Sequence, residues 1–229
     1  MIAVVGTLYV VATPIGNLED ITLRALRVLQ EVALIAAEDT RHTRKLLARY
    51  TIETPMLSFH KHSPPARLRE LLQRLEAGES IALVTDAGTP GISDPGAALV
   101  KAALESGIPV VPVPGPSAIT AALSVSGFPA QRFRFEGFPP RKEGARTRFF
   151  EALQAEDAPI VLFESPYRLL KTLQTAHTVL GNRPVTVCRE MTKQFEQIFH
   201  GTLGEAVAHY QQHAPRGEFV IIIGAPKQE

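Results

Sequence analysis

Short apolar runs recur along the chain, each followed by a small-residue turn and then by a stretch in which leucine or alanine returns every three or four positions. LYVVAT (8–13), VALIAAED (32–39), PMLSFH (55–60), SIALVTD (80–86) and IPVVPVP (108–114) lack strict in–out alternation, as strands buried on both faces do. Between them, residues 20–32 carry Leu23, Leu26 and Leu29 on one stripe with Asp20 placed as a cap, and residues 40–49 form a second helical segment. Residues 64–78 open on proline and close on glycine around Leu68, Leu71, Leu72 and Leu75. A fourth helix is predicted over 94–106, with Asp94 as its cap and Pro95 at its first position. This alternation predicts an α/β unit with a mainly parallel sheet covered by helices on both sides.

After residue 114 the rhythm changes. A helix is expected at 117–126, and QRFRFEGF (131–138) alternates as an antiparallel or edge strand does. PIVLFES (159–165) and PVTVCRE (184–190) read as strands around a helix at 166–180. FEQIFHGTL (195–203) reads as an exposed strand turning at Gly201, followed by a helix over 204–213 and a last strand, GEFVIIIGA (217–225). The expected organisation is a 1–114 N-terminal α/β domain and a 115–229 C-terminal mixed α/β domain.

Three strand ends carry turns built from glycine and proline: TPIGN (13–17), VTDAGTPGISDPG (84–96) and VPGPSA (113–118). A small-residue turn that leaves a strand and feeds a helix presents main-chain N–H groups with no side chain in the way, which is how α/β folds hold polar ligands. The common nucleotide fingerprints do not fit. The first turn has one glycine where a dinucleotide fold wants G-x-G-x-x-G, and neither a P-loop nor a G-x-S-x-G elbow occurs. His60 and His62 lack partners at metal-ligand spacing, so no metal is expected.

Apolar residues make up 45% of the 229 and charged residues 21%, the balance of an ordinary globular protein. No run of apolar residues is long enough for a membrane span. The apolar start, MIAVVGTLYVV, lacks a basic leader and reads as a lead-in to the first strand and not as a signal peptide. The single cysteine, Cys188, lies in a strand-like segment, which suits a buried thiol in a reducing, cytoplasmic setting. Net charge is only +1, but it is uneven. Residues 132–148 hold six basic residues against Glu136 and Glu143, and TRHTRKLLARY (40–50) holds four basic residues and no acid. Two such clusters point to a phosphate-bearing partner. Arg132 to Arg148, rich in glycine and charge around PPRKEGAR, reads as a loop facing that partner, weighed against a plain connector.

VATPIGNLEDIT, AAEDTRHTRKLL, VTDAGTPGISDPG, VPGPSA, and FESPYR followed by VTVCREMTK are similar to motifs of the ribosomal RNA small-subunit methyltransferase I family of the tetrapyrrole methylase superfamily, in order, over residues 7 to 224. The resemblance implies two α/β domains with S-adenosylmethionine in the cleft between them, a homodimer, and 2′-O-methylation of a cytidine in 16S rRNA near the decoding centre, within the small ribosomal subunit. It implies cofactor contacts from Asp86, Gly88, Ile92 and Ser93, from Ser117 and Ala118, and from Phe163, Glu164, Phe219 and Val220 in the second domain. Tetrapyrrole members carry a more glycine-rich first loop than T-P-I-G-N, which favours the RNA branch over C-methylation of a corrin or porphyrin precursor.

Methyl transfer to a ribose oxygen needs alignment and help in removing a proton. Glu38 or Asp39, at a strand end, is expected to orient or deprotonate the hydroxyl, unless the pair merely caps the next helix and binds Arg41. Arg41, Arg44 and Lys45, and Arg141, Lys142 and Arg146, are expected to bind RNA. Glu164 with Arg168 is the second catalytic candidate, weighed against a helix-capping salt bridge, and Glu190 with Lys193 the third.

Overall fold

The computed structural model describes residues 5–94 and 96–226, in two compact units, Met1–Ser117 and Ala118–Glu229. In the first, β1 (Leu8–Val11), β2 (Leu34–Ala37), β3 (Met56–Ser58), β4 (Ile81–Val84) and β5 (Val110–Val113) form one sheet in the order β3-β2-β4-β1-β5. Every pairing is parallel. The helices divide between the faces. α1 (Leu23–Glu31) and α2 (Thr40–Arg49) pack Ala25, Val28, Leu29, Leu46 and Leu47 on Val11, Ile35, Ala37, Ala82 and Val84. On the other face α3 (Pro65–Glu76) and α4 (Ala97–Glu105) set Leu71, Leu75, Leu99 and Ala103 against Leu8, Leu34, Ala36, Ile81 and Leu83. Residues adjacent along a strand feed opposite cores, so the sequence shows continuous apolar runs and no alternation.

Two helix starts differ from expectation. Asn17 accepts from the Glu19 N–H and opens a single 3-10 turn, Leu18–Asp20, so Asp20 is spent before α1 begins and Thr22 caps it instead. That rotates the stripe: Ala25, Val28 and Leu29 are buried, whereas Leu23 is 86% exposed. α4 is entered through Gly96, at φ +133°, and not through Asp94. Pro95 lies outside the described residues.

The second unit is a mixed sheet of β6 (Arg134–Gly137), β7 (Ile160–Glu164), β8 (Pro184–Arg189), β9 (Gln197–Thr202) and β10 (Phe219–Ile223), in the order β6-β7-β10-β8-β9. β6 is an edge strand as expected, but it runs parallel to β7, while the other pairings are antiparallel. Gly201 makes no turn; it sits inside β9 opposite Val185. One face is covered by α6 (Glu143–Glu151), α7 (Leu169–Leu180) and α8 (Leu203–Gln212), whose Phe150, Leu173 and Ala206 meet Ile160, Leu162, Val187 and Ile221. The other face packs α5 (Ala118–Ser126) through Ile119, Ala122 and Leu123 onto Val161, Cys188, Val220 and Ile222. The Cys188 thiol is buried, and that burial pushes it up to about 11. Among the described residues no helix is long and apolar enough to cross a membrane.

From Glu143 onward, α6 replaces the expected partner-facing loop. Its inward side is Arg146 with Phe150, not an apolar stripe, so the segment shows no helical hydrophobic period. Arg146 is only 5% exposed, donating from Nε to Thr175 Oγ1 (3.0 Å) and from Nη1 to the Arg141 carbonyl (3.2 Å). It is a packing residue and not an RNA contact. Arg146→Ala is expected to lower the unfolding free energy by about 1–3 kcal/mol, since it removes a buried side chain with its bonds to the Thr175 hydroxyl and the Arg141 carbonyl, while Arg148→Ala on the exposed side stays within about 0.5 kcal/mol of the parent. Urea titration of the three proteins checks both values; equal midpoints would refute the structural role.

Candidate functional site

Five parallel strands bring their carboxyl ends to one edge of the first sheet, and main-chain bonds knit the turns there. The Thr13 N–H donates to the Gly88 carbonyl and the Gly88 N–H to the Thr13 carbonyl, each at 3.0 Å, while Thr13 Oγ1 donates to the Thr85 carbonyl at 3.0 Å. Gly88 holds φ +78°, and a Cβ there would lie 3.7 Å from the Ile15 side chain, so the conformation and not crowding demands glycine. Further along the turn, Gly91 is at φ +86° with open space beside it, and Ser93 takes φ +62° despite its side chain. Such a conformation in a non-glycine residue persists only where its surroundings enforce it. Ile92 between them is 46% exposed. The turn therefore offers bare backbone and one apolar side chain.

Acidic groups gather at the same edge. The Asp86 N–H donates to Glu38 Oε2 (3.4 Å) and the Asp39 N–H to Asp86 Oδ1 (3.1 Å), interlocking the ends of β2 and β4. Glu38 and Asp39 are neighbours in sequence yet differ in kind. Burial raises Glu38 above the ordinary carboxylate range, with the Asp86 charge adding to it and the Asp86 N–H, His60 and Lys61 opposing. Asp39 caps α2 through the Arg41 N–H (2.8 Å) and also holds the Arg41 guanidinium at 2.8 Å, which keeps its carboxyl far below that range. Asp39 is thus a helix cap with an ion pair and a poor base, leaving Glu38 of the two. Asp94, expected only as a cap, joins this group. Burial pushes it up to about 6, helped by the Glu38 and Asp86 charges. The buried Thr85 hydroxyl, which makes no well-formed hydrogen bond to a protein atom, offsets this only in part. The signal for Asp94 was its place inside the same turn as Asp86, which folds back on itself. Among the described residues no three His, Cys, Asp or Glu side chains are grouped to hold a metal ion.

Ser117 and Ala118 lie half-buried where β5 leads into α5. In the second unit Phe163 and Val220 are on the α5 side of the sheet, Phe163 in edge-on contact with Phe135 (5.0 Å) and Phe138 (5.7 Å). The Phe219 side chain lies on the opposite face, in the core against Tyr210 (5.8 Å), so it is a packing group and offers a ligand no side-chain surface. Glu164 is also inside. At 2% exposure it accepts from the Ser165 N–H (2.8 Å), Arg168 Nε (2.8 Å) and Thr172 Oγ1 (2.6 Å), which uses both oxygens and leaves none for a substrate proton. It is a buried ion pair at the start of α7, not a catalytic acid or base. Glu190 and Lys193 are bound at 3.0 Å, Lys193 also reaches Glu218 (2.7 Å), and Glu190 and Thr192 both have positive φ.

The cations sort themselves by pairing. Arg132 binds Asp157, and Arg134 binds Glu136 and Glu156. Arg44 and Lys45 on α2, and Arg141 and Lys142 before α6, are exposed with no ion pair among the described residues; Arg41 is exposed but held by Asp39. A carboxyl whose folded value exceeds its unfolded one binds more protons when folded, so ionising it removes stability. The unfolding free energy is expected to decline through Asp94 as pH rises from about 4 to about 6. Asp94→Asn should lack that part of the decline, as denaturant titrations across the window would read. Parallel curves for the two proteins would show that Asp94 carries no burial penalty.

Residues 7–207 match the family model described as Tetrapyrrole (Corrin/Porphyrin) Methylases. The chain is 52% identical over 225 residues to "Ribosomal RNA small subunit methyltransferase I" of Synechocystis sp., covering 98% of this chain and 81% of that one. It is 49% identical over 218 residues to the protein of the same name from Thermotoga maritima, covering 95% and 98%. Among solved structures it resembles uroporphyrin-III C-methyl transferase from Thermus thermophilus complexed with S-adenyl homocysteine, with a TM-score of 0.66 at 22% identity over 96% of this chain and 97% of that one. The fold read from strand ends and the family read from motifs agree with these likenesses: this chain belongs to the ribosomal RNA small subunit methyltransferase I family of the tetrapyrrole methylases.

Proposed function

We propose that this chain transfers a methyl group from S-adenosylmethionine to the 2′-oxygen of a cytidine ribose in 16S rRNA near the decoding centre, acting on the small ribosomal subunit as a cytoplasmic homodimer. The observation that carries the reading is the 49–52% identity, across nearly the whole chain, to proteins named as ribosomal RNA small subunit methyltransferases. Tetrapyrrole C-methylation rests on likeness at 22% identity, which speaks for the fold alone.

The turn after β4 suits an adenosyl sulfonium. It leaves open space at Gly91, exposes Ile92 for apolar contact and sets Glu38, Asp86 and Asp94 at one edge, a negative field for a cationic sulfur. Within the first unit, Asp86, Gly88, Ile92, Ser93 and Ser117 would hold the cofactor; within the second, Ala118, Phe163 and Val220 are candidates on the family resemblance. When bound, S-adenosylmethionine supplies an electrophilic methyl group on a positively charged sulfur. The remaining work belongs to the chain. Glu38, raised by burial, accepts the hydroxyl proton on its carboxylate, and the N–H of Asp86 fixes that carboxylate's orientation. Arg44 and Lys45 bind RNA phosphates, positioning the ribose without reading its base.

The test is transfer of labelled methyl to small subunits and to naked 16S rRNA from cells lacking this gene, with the product mapped. Label on one ribose is the expected result. A protein that binds the cofactor and labels neither substrate would overturn the reading. Glu38→Gln is expected to lose about 10²–10⁴-fold in turnover at unchanged cofactor affinity; full turnover would remove Glu38 as the base.

A further inference from the structure

We propose that Phe138 and Tyr167 form a stacking platform for unpaired RNA bases, flanked by Arg141 and Lys142 as phosphate contacts; this rests on the RNA reading above and adds the part of the protein that grips the strand. Both aromatic rings stand in solvent, Phe138 at 56% and Tyr167 at 92% exposure. They lie on neighbouring loops, because each follows the carboxyl end of one of two hydrogen-bonded parallel strands, β6 and β7. A bulge between Phe135 and Gly137, with Gly137 at φ +64°, shifts the register just before Phe138. Bulges of this kind re-aim the residues that follow.

Both loops are stiff. The sequences are Phe138-Pro139-Pro140 and Ser165-Pro166-Tyr167, so proline fixes φ directly after Phe138 and directly before Tyr167. Arg168 ties them together, donating from Nη1 to the Pro139 carbonyl (3.1 Å) and from Nε to Glu164 (2.8 Å), whose other oxygen takes the Thr172 hydroxyl (2.6 Å). A buried ion pair of this sort adds little stability over an apolar substitute, so its use here is to fix geometry. Two rigidly held rings in water, at the base of a loop with two unpaired cations, match how single strands are bound: aromatic faces for bases and cations for phosphates. Of the other cations between residues 132 and 148, Arg132 and Arg134 are ion-paired and Arg146 is buried, which leaves Arg148 on the exposed side of α6 to add to the positive charge beside the platform. A self-contact across a two-fold axis at Tyr167 would instead bring these cations towards their own copies, which is unfavourable.

The experiment measures binding of a fluorescein-labelled 12-nucleotide single-stranded RNA, and of the same RNA annealed to its complement, to the full chain. Tyr167→Ala and Phe138→Ala are each expected to raise the single-strand Kd about 10-fold, Tyr167→Phe to restore it, and duplex binding to change little. Leu104→Ala, an exposed apolar residue of the first unit, is the control. Undetectable wild-type binding, unchanged Kd in both alanine variants, or equal losses for single strand and duplex would overturn the platform. So would dissociation of a dimer in sedimentation at unchanged RNA affinity, which would make the patch a subunit contact. Tyr167-dependent binding by a wild-type protein that transfers no methyl would sink the proposed reaction and leave the platform standing.

Discussion

Two main-chain hydrogen bonds between Thr13 and Gly88 hold the end of β1 to the turn that follows β4, and the geometry of the first unit's site descends from them. They form only because β1 and β4 are parallel neighbours that end at the same level, and because Gly88 supplies a positive φ at no steric cost. With the turn pinned, its next residues bring Asp86 against the end of β2 and Asp94 back to the same edge. The Asp86 charge then raises Glu38, and the Glu38 and Asp86 charges raise Asp94. A carboxylate group of this kind costs stability on its own, a cost that the cationic sulfonium of the proposed cofactor would offset.

The second unit uses charge differently. Glu164 with Arg168, and Arg146 with Thr175, place polar side chains inside or at the rim of the core, where partners hold each in place. Their role is positional: one joins the two proline-rich loops, and the other joins α6 to α7. Meanwhile Arg132 and Arg134 are neutralised by carboxylates. A stretch that looks uniformly basic along the chain is therefore divided in space into buried, paired and available cations. Only the last kind can meet a phosphate.

The sequence by itself determined the two-part α/β organisation, because strands covered on both faces must be apolar throughout and amphipathic helices must show their period. It also determined the family, since the glycine-proline turns at strand ends require particular residues in a particular order. Three assignments needed the tertiary structure, because each turns on how deeply a side chain is buried and which partners use up its polar atoms. Arg146 broke the helical period of α6 because its charge is satisfied by Thr175, 29 positions on. Glu164 looked catalytic until Arg168 and Thr172 took both its oxygens, and Phe219 looked like a pocket residue until the pleat turned it into the α6–α8 core. Glu38 and Asp39 are equivalent as letters. Only the tertiary structure decided between them, by part-burying one against the Asp86 turn and binding the other to Arg41 at the start of a helix.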